Sequence, residues 1–424
     1  MAAARESLRA PKGMLDVLAP ESDRWIDLVG RFADRARRFG FGLVLTPMVE
    51  HYEVFQRVGE HTDVVRKEMY DFEDRGGRRL ALRPEGTAPV VRAFVQHRPA
   101  LPWKAWYVAP NFRAEQPQAG RYRQHWQLGV EALGVAEPGL DVEVIALAAG
   151  FYRELGLGGV RLLVNSMGDA PSRARYREVL LAYLRAHATL LGDEMERAEA
   201  NPLRILDSKR PDWQEMLDAA PRLGEFLSDE SAAHFAAVQQ GLHALGIAVE
   251  LSDRLVRGFD YYTDTVFEFQ CDALDAAQNA VGGGGRLDRL VEDMGGPPTP
   301  AIGFGIGIER LLLACDAEGV YPVPGRGPDA FVVDLVDAPG EVTVMLAELR
   351  ELGLAAERAY GSRSPKKQFG AADRSGATWS VILGAAEAER GAVAVKDMRT
   401  GEQHEVRREA LAAWLQTRQE GATR

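Results

Sequence analysis

The stretch RYRQHWQLGVE, residues 121–131, changes character at every step. Its odd positions are Arg121, Arg123, His125, Gln127, Gly129 and Glu131; its even positions are Tyr122, Gln124, Trp126, Leu128 and Val130. A period of two is that of a β-strand, whose successive side chains point to opposite faces. One face is mostly apolar and the other strongly polar, which by spacing alone fits a sheet with one wet side. The polar row is richer than a wet side requires. Guanidinium forks match phosphates, and a glycine among them lets a ligand approach the backbone. The row grades from phosphate-binding chemistry at Arg121 to amine- or imidazole-binding chemistry at Glu131.

Working outward, WKAWYVAPNFR reads as the antiparallel partner strand, with turn chemistry in EQPQAG at Gln116, Pro117, Gln118 and Gly120. Arg113 and Glu115, two apart on that strand, face the same way and fall near the polar row. In LRPEGTAPVVRAF, Glu85 and Thr87 flank a Pro84–Gly86 turn before a helix; taken alone they read as a solvated turn residue and a helix cap. AIGFGIGIERLL is a glycine-spaced strand entering a helix, with Arg310 near its start. A cation there opposes the helix dipole, so an anionic ligand would explain it. LVRGFDYYTDTVFEF, residues 255–269, sets Arg257, Asp260, Tyr261 and Tyr262 where a strand of Val266, Phe267 and Phe269 begins. The run GGGG at 282–285 reads as a bulge between strands.

The N-terminal segment SDRWIDLVGRFADRARRFG predicts a helix with Ser22 as cap and Gly40 as terminator. GLVLTPMVE follows as an edge or bulged strand, because Pro47 has no ladder N–H; spacing leaves a subunit contact and a solvent-side edge equally open. Residues 141–156 predict a helix, and about 170–248 a charge-rich helical insertion. The proline- and glycine-rich GVYPVPGRGPDA is the best linker. Beyond it strands and helices alternate, which predicts a compact α/β domain with a largely parallel sheet.

Composition narrows the class. The 424 residues are 46% hydrophobic and 27% charged, a folded chain with no run of roughly 20 apolar residues to span a membrane. A net charge of −11 excludes coating nucleic acid by bulk charge, not local RNA binding. Two cysteines give neither a disulfide framework nor a zinc site and point to the reducing cytoplasm. The chain has no GxxxxGK[ST], HExxH, GxSxG or GxGxxG.

LRPEGT, FRAEQPQAGRYRQ, QLGVE, LVRGFDYY and GFGIGIERL together resemble the signatures of the class II aminoacyl-tRNA synthetases, and within them the histidyl-tRNA synthetase family, in order and approximate spacing. The resemblance implies an α+β catalytic domain at 1–325, built on an antiparallel sheet with helices and carrying the helical insertion. It implies an anticodon-binding α/β domain at 326–424. The implied reaction joins histidine to ATP as histidyl-adenylate, then transfers histidine to the 3′ end of its tRNA. By resemblance Arg257 and Arg113 are catalytic, and Arg113, Glu115, Arg121, Arg310 and Arg257 bind ATP. Glu85, Thr87 and Gln127 resemble ligands of the substrate ammonium, Glu131 and Tyr262 partners of the imidazole, and Tyr261 a wall of the same pocket. Gln118 and Arg123 resemble contacts to the tRNA acceptor end, and Lys366 and Lys367 contacts to RNA in the second domain. Mg²⁺ accompanies the phosphates, no protein metal ligand is implied, and the GFGLVLTPMVE segment implies a homodimer.

Four positions depart from the family pattern: His125 where an aromatic is usual, Gln116 where arginine is common, Leu287 for tyrosine and Arg289 for glycine. Two alternatives are a synthetase-like regulatory subunit of histidine biosynthesis, a type that usually lacks the second domain, and a silent RNA-binding module.

Overall fold

The computed structural model describes residues 8–422 apart from 60, 61, 63, 119, 207, 209, 257–260, 276–278, 326, 362 and 363. It separates into two units, Met1–Pro322 and Val323–Arg424, within the linker.

In the first unit helix α1 (Glu21–Arg38) buries Arg24, Leu28, Phe32 and Ala36 at four-residue spacing. Ser22 lies inside the helix and caps nothing: Pro20 is at the N-cap, and Glu21 and Asp23 offset the positive helix end instead. Next come β1 (Gly42–Leu43), β2 (Val49–His51), α2 (Tyr52–Gly59), β3 (Tyr70–Glu73), β4 (Arg79–Leu82) and α3 (Thr87–His97). Pro47 falls between β1 and β2, which belong to different sheets. The long hairpin of β5 (Trp103–Phe112) and β6 (Gln124–Leu133) leads to α4 (Pro138–Glu154) and β7 (Val160–Ser166). The insertion is helical throughout: α5 (Ala170–Ala186), α6 (Ala188–Leu191), α7 (Met195–Ala200), α8 (Leu203–Leu206), α9 (Gln214–Asp218) and α10 (Asp229–Ala244), with short 3₁₀ turns between. The unit closes with β8 (Glu250–Leu251), β9 (Thr263–Cys271), β10 (Ala280–Arg286), α11 (Leu290–Asp293), β11 (Ala301–Gly307) and α12 (Ile308–Glu318).

Eight of these strands form one sheet in the order β1-β5-β6-β11-β10-β9-β7-β8. Its pairings are antiparallel except at the two ends, β1 on β5 and β8 on β7. The even face of β6 is core: Leu128, Val130 and Ala132 pack with Phe32 of α1 and Val144, Ile145 and Phe151 of α4. Phe32 meets Trp106, Phe151 and Phe304 edge-on at 5.1–6.3 Å. Each such pair adds about 0.5–1.5 kcal/mol beyond burial. The odd face is no wet side, because α3 covers much of it: Val90 packs on Ala105, Tyr107 and Ala109 of β5. Only the first four residues of β6 remain half-open, and two of them, His125 and Gln127, line a cavity. The GGGG run lies within β10, and bulge-type register shifts against β9 fall at both its ends.

The second unit holds β12 (Ala330–Asp334), α13 (Pro339–Glu351), β13 (Ala356–Arg358), α14 (Pro365–Ser375), β14 (Trp379–Leu383), α15 (Ala385–Glu389), β15 (Ala392–Asp397), β16 (Gln403–Arg407) and α16 (Leu411–Ala422). Its sheet order is β13-β12-β14-β15-β16. The expectation of a largely parallel sheet needs correction: β13, β12 and β14 are parallel, but β15 and β16 add antiparallel. The turn after β15, where the Asp397 carboxylate accepts from the amides of Arg399 and Thr400, folds the chain straight back as a hairpin.

Candidate active site

The cavity of about 370 Å³ beside β6 is lined at one end by Arg113, Glu115, Arg121, His125, Glu268 and Arg310. Gln127, Gly283 and Gly305 continue the lining. β5 ends at Phe112 and β6 begins at Gln124, so Arg113, Glu115, Arg121 and Arg123 stand on the connecting loop and not on strands as expected. They stay by the row because the hairpin continues past the ladder: the Arg113 amide donates to the Arg123 carbonyl at 2.8 Å. The Arg113 guanidinium is steadied by donating Nε–H to the Pro84 carbonyl at 2.9 Å. Arg121 lies 3.6 Å from Glu115, and Arg310 donates to the Ala280 carbonyl at 3.0 Å. Burial, then repulsion from Arg121, makes the Arg310 cation harder to hold, a strain an anion would relieve.

His125 occupies the same end. Burial, then Arg113, pushes its pKa down to about 3, and its ring is bonded to the Tyr122 carbonyl. It is a neutral imidazole at physiological pH. Glu309, next to Arg310, accepts the Trp126 amide on both oxygens at 2.9 and 3.1 Å. β11 ends at Gly307, opposite Gln127, so this carboxylate supplies the acceptor just beyond the ladder. Burial pushes Glu309 up to about 7.

Further along β6, beyond Gln127, lies a buried acidic group. Arg83, almost fully buried, donates to the carbonyls of Pro110 and Thr46 at 2.8 and 3.0 Å and fastens the Pro84–Gly86 turn to β5. The turn delivers Glu85, 3% exposed, whose oxygens accept the amides of Thr87 and Ala88 at 2.6 and 2.7 Å. Glu85 is therefore the cap of α3, not a solvated turn residue, and Thr87 is the first helical residue rather than the cap. Thr87 Oγ1 donates to Glu131 Oε1 at 2.7 Å, while Glu131 Oε2 is buried without a hydrogen-bond partner. Burial drives the Glu131 pKa well above the carboxylate range, and Glu85 adds to the rise. Tyr261 and Tyr262 stand in the same electrostatic group, ring centroids 4.7 Å apart, and the Tyr262 carbonyl accepts from Arg173 of α5 at 2.8 Å. Glycines make this crowding possible: a Cβ at Gly303 would overlap Glu131, at Gly305 Gln127, and at Gly129 or Gly86 the Tyr107 ring.

The structure thus brings Arg113, Glu115, Arg121, Arg310 and Gln127 around one cavity and Glu85, Thr87, Glu131, Tyr261 and Tyr262 into one buried group. Arg257 lies outside the described residues. Arg123 turns its Nε–H onto the Glu115 carbonyl at 3.2 Å, and Gln118 bridges to Arg121. Gln116 is exposed on the same loop. Leu287 is core, packed in the cluster that includes Tyr261 and Tyr262, and Arg289 is exposed at the start of α11, 4.0 Å from Asp293. Lys366 and Lys367 are exposed in the first turn of α14, in the second unit; Arg363 lies outside the described residues. Sequence reading missed Tyr107, Asn111 and Glu268. Tyr107 and Asn111 share the odd-numbered face of β5, opposite Gly129 and His125, but that strand has no polar alternation to single them out.

The family model for histidyl-tRNA synthetase matches residues 13–311, and one for an anticodon-binding domain matches 331–418. A histidine–tRNA ligase of Corynebacterium urealyticum is 48% identical over 408 residues, covering 95% of each chain. One from Geobacillus thermodenitrificans is 46% identical over 96% of this chain and 98% of its own. The apo histidyl-tRNA synthetase structure from S. aureus superposes with a TM-score of 0.82 at 35% identity, covering 96% of this chain and all of that one. A Bacillus halodurans structure described as an ATP phosphoribosyltransferase regulatory subunit/histidyl-tRNA synthetase shares the fold at 23% identity, with a TM-score of 0.62 over 86% of this chain and 96% of that one.

Proposed function

As the chain belongs to the histidyl-tRNA synthetase family, we infer that it acts as a histidine–tRNA ligase, using ATP to activate histidine and then charging tRNA. The observation that carries the site assignment is Glu131: a buried carboxylate with one oxygen held by Thr87 and the other without a partner. An imidazole N–H satisfies that oxygen. A side chain without such a donor leaves it orphaned at a cost of about 1–3 kcal/mol. Polar recognition of this kind can discriminate by roughly 10⁴–10⁵ without editing.

The arginines at the other end fit the nucleotide. The histidine carboxylate, already ionised, attacks the α-phosphorus; an O–P bond forms as the bond to pyrophosphate breaks, and no general base is needed. Charge grows on the non-bridging oxygens, where Arg113, assisted by Arg257, stabilises the transition state more than the ground state. Arg310 and the neutral His125 take the adenine, Arg310 by stacking its planar head. Holding both reactants along β6 supplies much of the remaining acceleration. In the second step the tRNA terminal hydroxyl attacks the acyl carbon and AMP leaves.

Mg²⁺ fits as a companion of the phosphates, an ion held mainly by substrate oxygens. Glu115 and Glu268 are the carboxylates placed to hold it, where it would neutralise phosphate charge. The tRNA acceptor end is assigned to the loop of Gln116, Gln118 and Arg123, and RNA contact in the second unit to Lys366 and Lys367. A second copy of the chain is assigned to the edge around β1, where Leu43, Leu45, Met48 and Val49 are exposed. The cytoplasm is the compartment that fits two buried free thiols. The match over 331–418 weighs against the regulatory-subunit alternative.

The test is histidine-dependent exchange of pyrophosphate into ATP, followed by charging of tRNA with histidine. Both reactions are expected. Exchange without charging contradicts the ligase reading, and no exchange contradicts the activation chemistry as well.

A further inference from the structure

Gln127 stands on β6 between His125 at the nucleotide end and Glu131 at the imidazole end, separated from Glu131 by the bare Gly129. With about 3.3 Å per residue, a histidine spanning from Glu131 towards the arginines brings its carboxylate beside Gln127. Which end of the Gln127 amide faces that carboxylate then matters. An NH₂ donates to it; a carbonyl oxygen repels it.

Asn111 decides the orientation. It lies on β5 directly opposite His125, is fully buried, and donates Nδ2–H to Gln127 Oε1 at 2.9 Å. That bond occupies the Gln127 carbonyl and leaves its Nε2 over Gly305, on the cavity lining, where a Cβ would collide with it. Asn111 Oδ1 has no partner. Reversing both amides would instead bury an Asn111 NH₂ with neither hydrogen paired; as for main-chain groups, an orphaned donor is rarer than an under-used oxygen.

We propose that Asn111 is a positioning residue for activation: it turns the Gln127 amide so that its NH₂ faces the reacting carboxylate. The inference rests on the histidine-activating reading and deepens it. It also revises Gln127's part, from a ligand of the substrate ammonium to a donor towards the carboxylate. The ammonium is left to the acceptor oxygens of Glu85 and Thr87.

The experiment is pyrophosphate exchange on the full chain, with kcat and the histidine KM measured separately for Asn111→Ala, Asn111→Asp, Gln127→Ala and the Asn111→Ala/Gln127→Ala double variant, each checked for a wild-type melting transition. Asn111→Ala should lower kcat/KM for histidine about tenfold, the order of one hydrogen bond. Asn111→Asp should lower it further, because a carboxylate accepts from the Gln127 NH₂ and turns the wrong end to the substrate. In the Gln127→Ala background Asn111→Ala should have no further effect, since its only route to the substrate is gone. An unchanged Asn111→Ala enzyme, or a loss of equal size in both backgrounds, overturns the proposal, and the double variant decides it even if the aspartate chain fails to fold. A wild-type chain that shows no exchange overturns the functional reading itself, and this inference with it.

Discussion

The arginine-lined cavity and the buried acidic group around Glu131 face opposite electrostatic problems. In the cavity, Arg113, Arg121 and Arg310 crowd positive charge, and burial with mutual repulsion makes Arg310 harder to keep charged. In the acidic group, Glu85 and Glu131 are buried and their carboxyls are held above their usual range. Neither is comfortable alone. In the cavity three guanidinium groups share the carboxylates of Glu115 and Glu268, and in the acidic group Glu131 Oε2 has no hydrogen-bond partner. On the proposed function, one strand face would orient an asymmetric intermediate, with its phosphate towards the arginines and its imidazole towards the glutamate. The even face of β6 is packed on α1 and α4.

The largest effect should come from the cationic end. Arg113→Ala should reduce exchange by at least about 10²–10³-fold, the range for losing one transition-state donor. Arg113→Lys should recover only part of it, because an ammonium lacks the fork. A wild-type rate in Arg113→Ala would break the contrast between the ends.

Glu131→Gln tests the acidic end. The glutamine oxygen still accepts from Thr87, but the free oxygen becomes an NH₂. The histidine KM should rise about 10- to 100-fold, with the ATP KM unchanged. A matching rise for ATP would mean the ends are not separate.

His125→Phe sharpens the comparison further. With its pKa near 3, His125 carries no proton to lose between pH 5 and 8. Phenylalanine should shift the ATP KM only a few-fold and leave the shape of the pH–rate profile in that window unchanged. A limb that vanishes on substitution would show that the histidine titrates there.

The smallest effect concerns stability. The folded-state pKa of Glu309, about 7, lies above its ordinary value of 4.5. Its contribution is therefore fully present below about pH 4.5 and is lost as pH rises through 7. Glu309→Gln should match wild type at pH 4.5 and melt roughly 2–4 °C higher at pH 8, by differential scanning calorimetry. A lower melting point at pH 8 would show that the ionised carboxylate is the preferred acceptor for Trp126.

Much of this was legible in residues 121–131 because a buried face writes its period into the sequence. Leu128, Val130 and Ala132 alternate against Gln127, Gly129 and Glu131, and both sets are where alternation puts them. β5 hid its contribution: Ala105, Tyr107, Ala109 and Asn111 offer no contrast of polarity with Trp106, Val108 and Pro110, since both of its faces are covered. The loop arginines were legible as chemistry but not as geometry, because nothing local says that the ladder stops at Phe112. Glu85 was misjudged because its partners are main-chain amides, which have no sequence signature of their own. In the second unit β16 escaped notice because its residues are mostly exposed and only Val406 is buried. That missing hairpin is why the sheet is less parallel than expected.

The most direct test is calorimetric binding of a non-hydrolysable histidyl-adenylate analogue to wild type, Arg113→Ala and Glu131→Gln, together with binding of the adenosine and histidine halves alone. Arg113→Ala should weaken the analogue and the nucleotide half but spare the histidine half, and Glu131→Gln should do the reverse. If either substitution weakens both halves equally, or neither, the cavity is not polarised as described.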